Sequence, residues 1–182
     1  KNIDLLNTDI DDWNITFVDT GINSNIGMRL LKVKKFLKDE EMFLANYSDG
    51  LTNLNITDMI DDFKKQEDQV GSFMAYQPTQ SFHVVNLGNN GNVKSISHIG
   101  SSGLWINAGY FILRNEIFSY LNKGEELVDE PFQRLIDKKK LHAFKHNGFW
   151  ASMDTFKDKQ TLDDEYAKGN APWEVWKTNN NI

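Results

Sequence analysis

The 182-residue chain has no cysteine, only three prolines and no uninterrupted run of about 18 apolar residues. The lack of cysteine excludes a disulfide framework and a thiolate zinc site, and it is compatible with a reducing compartment. The lack of a long apolar run, together with a start at Lys1 that is not a charged and then apolar leader, gives no sign of a membrane span or a signal peptide. These absences predict a cytosolic protein without a membrane partner.

Positively charged residues are also fewer than negatively charged ones: the chain has 20 Lys and Arg and 26 Asp and Glu, which gives a formal net charge of -6. No basic stripe stands apart from neighbouring acids, so we expect no nucleic-acid partner. A small anionic substrate is still compatible, since a few local cations or a metal ion can hold it. With 40% hydrophobic residues, the chain is predicted to form one packed domain over residues 1–182.

Strand-like and helix-like segments alternate along the chain, which predicts an α/β layered fold. Predicted strands lie at residues 14–18, 42–47, 72–76, 83–87, 93–97, 109–113 and 141–146, and predicted helices at 28–36, 55–66, 116–121, 129–138 and 155–168. The turn residues at 88–91 predict a hairpin. No repeat or Pro-rich linker divides the chain.

Two aspartates are candidate ligands for a metal ion. Asp49 follows a short apolar run, where α/β folds place ligands at the carboxyl end of a buried strand. Asp154 stands just before a predicted helix. A hard cation such as Mg²⁺ binds one or two carboxylates together with phosphate oxygens, so the pair could serve if the fold brings it together. From local sequence alone, a turn residue at Asp49 and a helix cap at Asp154 are the simpler interpretations.

A polar, glycine-containing loop between residues 18 and 30 is a candidate anion site. Its backbone N–H groups and the helix that follows it could face an anion, and Arg29 adds a cation in the first helical turn. A plain connecting loop is the simpler interpretation. The histidines and the segment Ser101-Ser102-Gly103 give no pattern typical of a metal site or of a nucleophile, and the tryptophans near the end of the sequence are predicted to pack on the domain.

Several motifs, in this order, resemble those of glucose-1-phosphate cytidylyltransferases, within the sugar-phosphate nucleotidyltransferase family. The matching stretches are Trp13–Gly21, Gly27–Val33, Tyr47–Gly50, Trp105–Phe111, His146–Trp150, Met153–Thr155 and Ala171–Trp173. Together they extend over nearly all of the chain from Trp13 to Trp176.

The resemblance implies a doubly wound α/β fold with a mixed sheet, of the Rossmann-like type. It also implies a reaction in which a sugar 1-phosphate oxygen attacks the α-phosphate of CTP and releases pyrophosphate. Asp49 and Asp154 would be the catalytic residues and would hold Mg²⁺ as the cofactor. The implied nucleotide-binding residues are Thr20, Gly21, Ser24 and Arg29, and the implied sugar-phosphate residues are His98, Asn107 and Gly109. CTP and a sugar 1-phosphate are then the partners, and homo-oligomer formation is left open.

Three departures from the family pattern bear on activity. The family's opening strand, its Gly-rich Gly-Thr-Arg loop and the following Lys-Pro have no counterpart here, so the sequence is expected to begin late relative to the family. The family's Glu-Lys-Pro aligns with Ser97-His98-Ile99, and a neutral His98 is not a permanent cation. The family's Gly-Arg-Phe-Gly aligns with residues 80–83, where His83 enters space that glycine leaves open.

The departures keep other interpretations open. One is a nucleotidyltransferase that uses another sugar or another base. Another is a non-catalytic sugar-nucleotide-binding relative that has lost the cationic phosphate clamp. A glycosyltransferase of related architecture is a third, although the Asp-x-Asp pairing of that class is absent at Ser48-Asp49-Gly50.

Overall fold

The structure, a computed structural model, describes residues 13–79 and 81–178. Its eight strands are β1 (Met42–Asn46), β2 (Gly50–Thr52), β3 (Gly71–Tyr76), β4 (His83–Leu87), β5 (Val93–His98), β6 (Ile106–Arg114), β7 (Leu141–His146) and β8 (Trp150–Ser152). Its α-helices are α1 (Ile26–Val33), α2 (Ile56–Lys64), α3 (Glu130–Asp137), α4 (Phe156–Ala167) and α5 (Val175–Thr178).

Four strands form the central sheet in the order β1-β6-β3-β7. β3 and β7 are parallel, whereas β6 runs antiparallel to both β1 and β3, so the sheet is mixed, as expected. Because β1, β3 and β7 all run in one direction, their carboxyl ends meet at one edge, which is where ligands bind in open α/β sheets.

Helices cover both faces of this sheet, as the layered α/β prediction requires. On one face α1 and α3 bury Leu30, Phe132 and Leu135 against β3 and β6. On the opposite face α2 buries Met59 and Phe63 completely. Helix α2 forms here because its apolar residues recur every three to four positions and because Asn55 caps its first turn through the Thr57 amide, at 3.1 Å.

Two antiparallel ribbons extend from the layered core. β2 pairs with β8, and β4 pairs with β5. The predicted turn at residues 88–91 is confirmed: it contains a short 3-10 helix in which Asn90 has φ of 67°. Asparagine tolerates this left-handed conformation better than most residues.

The structure corrects two predictions of secondary structure and adds two strands. Residues 14–18 are not a strand, although their apolar residues alternate; Phe17 is 75% exposed, and no strand of the described residues pairs with this segment. The predicted helix at 116–121 is a 3-10 helix, Asn115–Ser119. β2 and β8 were not predicted, because three residues are too few for a periodic pattern to be recognised.

Some expectations fall outside the described residues, namely those on Lys1 and on Gln80 of the 80–83 segment. Among the residues that the structure describes, no helix is long and apolar enough to cross a membrane.

A charged contact fixes the segment between β6 and α3. Arg134 donates to both carboxylate oxygens of Glu125, and the backbone of Asn122 donates to the same group at 3.0 Å. These bonds lower the pKa of Glu125 from 4.5 to about 2. The same segment contacts α1 closely, since a Cβ at Gly27 would lie 2.3 Å from the Glu125 carbonyl oxygen.

We therefore expect Glu125→Gln to change how stability depends on pH. A carboxylate whose pKa is lowered on folding stabilises the protein above pH 4.5, and this contribution is lost as the pH falls towards about 2. Across this pH window, the midpoint temperature of thermal unfolding should therefore fall more steeply for the unchanged chain than for Glu125→Gln. Glu67→Gln, at an exposed residue without an ion pair among the described residues, is the control. Parallel curves for Glu125→Gln and the unchanged chain would contradict the expectation.

Candidate functional site

The two candidate metal ligands are brought together by the ribbon of β2 and β8. Asp49 immediately precedes β2 and Asp154 follows β8 by two residues. In the antiparallel register Gly50 lies opposite Ser152, and the Met153 amide donates to the Asp49 carbonyl oxygen at 2.8 Å. Residues that are distant in sequence therefore lie at the same end of one ribbon.

Both carboxylates are available to a ligand. The side chains of Asp49 and Asp154 belong to exposed residues, and neither makes a hydrogen bond or ion pair with the described residues. The cap of α4 is Thr155, whose hydroxyl accepts from the Asp158 amide at 3.2 Å, so the interpretation of Asp154 as a helix cap is wrong. Within residues 13–79 and 81–178, no group of three or more acidic, His or Cys residues could hold a metal ion.

A bulge in β6 lies beside this ribbon. Between Phe73 and Ala75 of β3 the register with β6 shifts by two residues, so β6 carries extra residues around Gly109. Such bulges often occur next to active sites, where they redirect side chains. The bulge is tied to the ribbon by two bonds: the Trp150 indole donates to the Ala108 carbonyl at 2.9 Å, and the Tyr110 hydroxyl donates to the Gly50 carbonyl at 2.7 Å.

Gly109 is required by both its conformation and its neighbours. Its φ is +78°, and a Cβ would lie 2.5 Å from the Tyr47 ring. The Tyr47 amide donates to the Gly109 carbonyl at 2.8 Å, and the Gly109 amide donates to the Asn107 side-chain oxygen at 2.9 Å. The two predicted sugar-phosphate residues Asn107 and Gly109 are thus held rigidly against the chain that leads to Asp49.

Tyr47 connects this cluster to its surroundings. Burial raises the pKa of its hydroxyl above the usual value, while a hydrogen bond with Asn107 acts in the opposite direction, and nearby Glu126, Asp49 and Asp129 raise it further. The ring packs edge to face on Phe111 with centroids 5.3 Å apart. Tyr47 is therefore a neutral, positioned hydroxyl at the ligand edge of the sheet.

The predicted nucleotide-binding residues cluster around the loop that precedes α1. Gly21, with φ of +78°, closes a turn in which the Ser24 amide donates to its carbonyl at 3.2 Å. Arg29 donates to the Thr20 hydroxyl at 3.0 Å and to the Ser24 carbonyl at 2.9 Å. The structure therefore brings the loop residues Thr20, Gly21 and Ser24 together with Arg29 of α1, the helix that Asn25 caps.

The chain has relatives among known proteins in sequence. No protein-family model matches the chain. Over 169 residues, 92% of this chain, it is 36% identical to the glucose-1-phosphate cytidylyltransferases of Salmonella typhimurium (strain LT2) and of Salmonella typhi. The chain is therefore similar to members of the sugar-phosphate nucleotidyltransferase family. It spans 65% of the length of these two relatives.

The fold agrees with this family. A UTP-bound UGPase from Acinetobacter baumannii superimposes with a TM-score of 0.59 over 85% of this chain and 60% of its own, at 14% identity. At that identity the similarity shows the shared architecture, which matches the doubly wound α/β fold expected from the sequence.

His98, the third predicted sugar-phosphate residue, lies on the ribbon formed by β4 and β5. It ends β5, and its Nδ1 accepts from the Gly100 amide at 3.1 Å. Its ring packs edge to face on His83, with centroids 5.7 Å apart. Among the described residues His98 makes no hydrogen bond or ion pair with Asn107, Gly109 or either aspartate. Because Nδ1 already accepts a hydrogen bond, only Nε2 is free to meet a phosphate.

Several residues that contact the candidate site residues were not singled out from the sequence. Lys32 approaches the loop from the next turn of α1, and its ammonium donates to the Thr20 carbonyl at 2.5 Å. Its spacing of three from Arg29 was the available signal, since residues three apart share a helix face. In the sequence, Tyr47 and Trp150 are identified only as members of longer motifs, without a role of their own. The expected packing of the terminal tryptophans is confirmed for Trp173, which contacts Phe149 at 5.4 Å between centroids.

Proposed function

We propose that this chain carries the metal-binding and sugar-binding parts of a cytidylyltransferase, which transfers a cytidylyl group from CTP to a sugar 1-phosphate. The products are a CDP-sugar and pyrophosphate. The observation that supports the proposal is the pairing of β2 with β8: Asp49 and Asp154 lie at the same end of this ribbon, and Asp49 follows the carboxyl end of β1 by three residues. CTP and glucose 1-phosphate are the proposed substrates because the Salmonella relatives are named for that activity. We place the reaction in the cytosol.

The residues at this end of the ribbon fit a magnesium ion. Mg²⁺ prefers oxygen ligands and is commonly bound by one or two carboxylates plus substrate phosphates, so a third acidic residue is not needed. Asp49 and Asp154 are exposed and make no hydrogen bond or ion pair with the described residues, and thus have free oxygen atoms. When bound, Mg²⁺ would neutralise phosphate charge during the transfer.

The proposed role of the protein is to bind and orient the two substrates. A phosphate oxygen of the sugar 1-phosphate forms a bond to the α-phosphorus of CTP, and the bond to the pyrophosphate oxygen breaks. The nucleophile is already an anion, so no proton needs to be removed by a side chain. Arg29 and Lys32 make no ion pair with a carboxylate of the described residues, and can face the triphosphate. Such catalysis depends on positioning and on stabilising charge.

Calorimetric titration of the 182-residue chain tests the proposal. We expect CTP to bind in the presence of Mg²⁺, and more weakly once Mg²⁺ is removed with a chelator. UTP is the matched control for the base, and CMP is the control for the metal-bound phosphates. Absence of binding for every nucleotide would contradict the proposal for this chain, and tighter binding of UTP would contradict the choice of base.

A second candidate function is a sugar-nucleotide-binding protein without transferase activity. The observation that favours it is His98, which stands where the family has lysine and whose Nδ1 is already engaged by Gly100. Pyrophosphate release from CTP and glucose 1-phosphate separates the two functions. Binding of CTP without any release of pyrophosphate would favour the second.

A further inference from the structure

A cleft next to the proposed site is not explained by the metal and nucleotide residues. It lies between α3 and the sheet face formed by β3, the start of β6 and β7, and has a volume of about 560 Å³. This is within the range of small-molecule sites, about 300–1,000 Å³. Phe73, Ala75, Phe132 and Ala143 contribute an apolar floor and side, and Asn107 lies on its wall.

The mouth of the cleft carries an aromatic ring and a cation. Trp105 and Lys145 both line it, and the Lys145 ammonium lies over the Trp105 ring, 5.3 Å from its centroid. Lys145 makes no ion pair and no hydrogen bond with the residues at 13–79 and 81–178. A cation held by an aromatic face, without a carboxylate partner, can still form a charge-assisted hydrogen bond with an anionic ligand.

The position of Lys145 in the sheet determines which part of a bound sugar phosphate it can contact. Asp49 follows β1, and Lys145 lies on β7, at the opposite side of the four-stranded sheet. At about 4.8 Å between neighbouring strands, β1 and β7 lie about 14 Å apart. A phosphate held at Asp49 is therefore out of reach of Lys145. A sugar ring that extends from this phosphate past Asn107 would present its far side to Lys145.

We propose that the cleft binds the sugar ring of the acceptor and that Lys145 selects sugars with an anionic group on the side away from C1. This inference rests on the proposed function for the placement of the 1-phosphate. The Trp105 ring offers an apolar face to the C–H groups of the sugar. A carboxylate or a second phosphate on the sugar supplies the anion. The preferred acceptor is thus an acidic sugar 1-phosphate, with glucose 1-phosphate as a poorer substrate.

Binding of three sugar phosphates to the chain, without nucleotide, tests the inference. The probes are glucose 1-phosphate, glucuronic acid 1-phosphate and glucose 1,6-bisphosphate, titrated by calorimetry in the presence of Mg²⁺. We expect at least one of the two acidic sugars to bind about tenfold more tightly than glucose 1-phosphate, as one charge-assisted hydrogen bond would give. Comparison of the two acidic sugars distinguishes a carboxylate from a phosphate.

Two substitutions locate the effect. Lys145→Gln should remove the preference for the acidic sugars, and Trp105→Ala should weaken binding of all three probes about tenfold. Lys138→Gln is the matched control, because Lys138 also lies over an aromatic ring, that of Tyr120 at 4.9 Å, but does not line the cleft. If Trp105→Ala does not fold, Trp105→Phe replaces it. Because this variant keeps an aromatic face, it should bind the three probes more weakly than the unchanged chain, but by less than about tenfold.

The outcomes separate this inference from the proposed function. Equal affinity for the three sugars, no binding of any of them, or a preference that persists in Lys145→Gln would overturn the inference. CTP titration of the unchanged chain reports on the proposed function by itself. Preferential binding of an acidic sugar without any binding of CTP would support the inference about the cleft and contradict only the proposed function. Binding of CTP without a preference for acidic sugars would support the proposed function and overturn only the inference.

Discussion

Replacing either Asp49 or Asp154 with alanine is expected to weaken Mg²⁺-dependent CTP binding about 100-fold, which corresponds to about 2.7 kcal/mol. Each substitution removes one of the two carboxylates that the β2–β8 ribbon brings together. Substrate phosphates can supply oxygen ligands, but they cannot replace a protein carboxylate that fixes the ion to the sheet edge. Calorimetric titration with CTP, with and without Mg²⁺, measures the effect.

A double variant with both Asp49→Ala and Asp154→Ala gives a sharper test than either substitution alone. If both carboxylates hold the same ion, loss of one already removes the metal, and the double variant should bind CTP hardly more weakly than the single variants. Asp61→Ala is the matched control: Asp61 is exposed on α2 and makes no ion pair among the described residues. Additive effects of the two substitutions would mean that Asp49 and Asp154 do not share a ligand. Unchanged binding in both single variants would rule out the proposed metal site.

Gly109→Ala is expected to destabilise the protein by about 3 kcal/mol or more. A non-glycine residue at φ of +78° is strained by roughly 1–2 kcal/mol. The added Cβ would also lie 2.5 Å from the Tyr47 ring, and relieving such an overlap costs typically about 1–3 kcal/mol. Unfolding by urea, monitored by tryptophan fluorescence, measures the loss of stability. Because Tyr47 leads to Asp49, we also expect weaker CTP binding in the folded fraction.

Gly103→Ala is a closely matched control for this substitution. Gly103 has nearly the same backbone angle, φ of +75°, but a Cβ there meets no atom within 4 Å. It should therefore show the backbone strain alone, about 1–2 kcal/mol. If the two variants lose the same stability, the contact between Gly109 and Tyr47 does not constrain the site. A larger loss at Gly109 confirms that the bulge needs glycine for space as well as for conformation.

Much of the local structure could be predicted from the sequence. β4 and β7 have the predicted limits, and α2, α3 and α4 lie within one or two residues of theirs. Helix α2 has a clear apolar period and the Asn55 cap, and α4 begins with a capping box of Thr155 and Asp158. The segment 14–18 shows the limit of this reasoning. Alternation of Ile15 and Phe17 with polar residues is typical of a strand, but a strand also needs a hydrogen-bonding neighbour, and the described residues provide none.

The candidate site illustrates the same division. The loop residues Thr20, Gly21, Ser24 and Arg29 lie close in sequence, so their grouping in space could be predicted from the local pattern. Lys145, by contrast, lies on β7 and Trp105 immediately precedes β6, and the two side chains meet because both strands pair with β3. No local pattern contains that information, because it depends on the order of strands in the sheet.

The sequence by itself determined the fold class, the family resemblance, most of the individual elements and the choice of the two aspartates as candidates. Each of these depends on residue type, on short-range periodicity or on motifs that survive in order along the chain. Only the tertiary structure decided that Asp49 and Asp154 lie at one end of a ribbon, that Gly109 lies in a bulge against Tyr47, and that the Nδ1 atom of His98 is engaged by the Gly100 amide. The physical reason is that strand pairing is set by hydrogen bonds and packing between distant segments, which short-range sequence patterns do not specify.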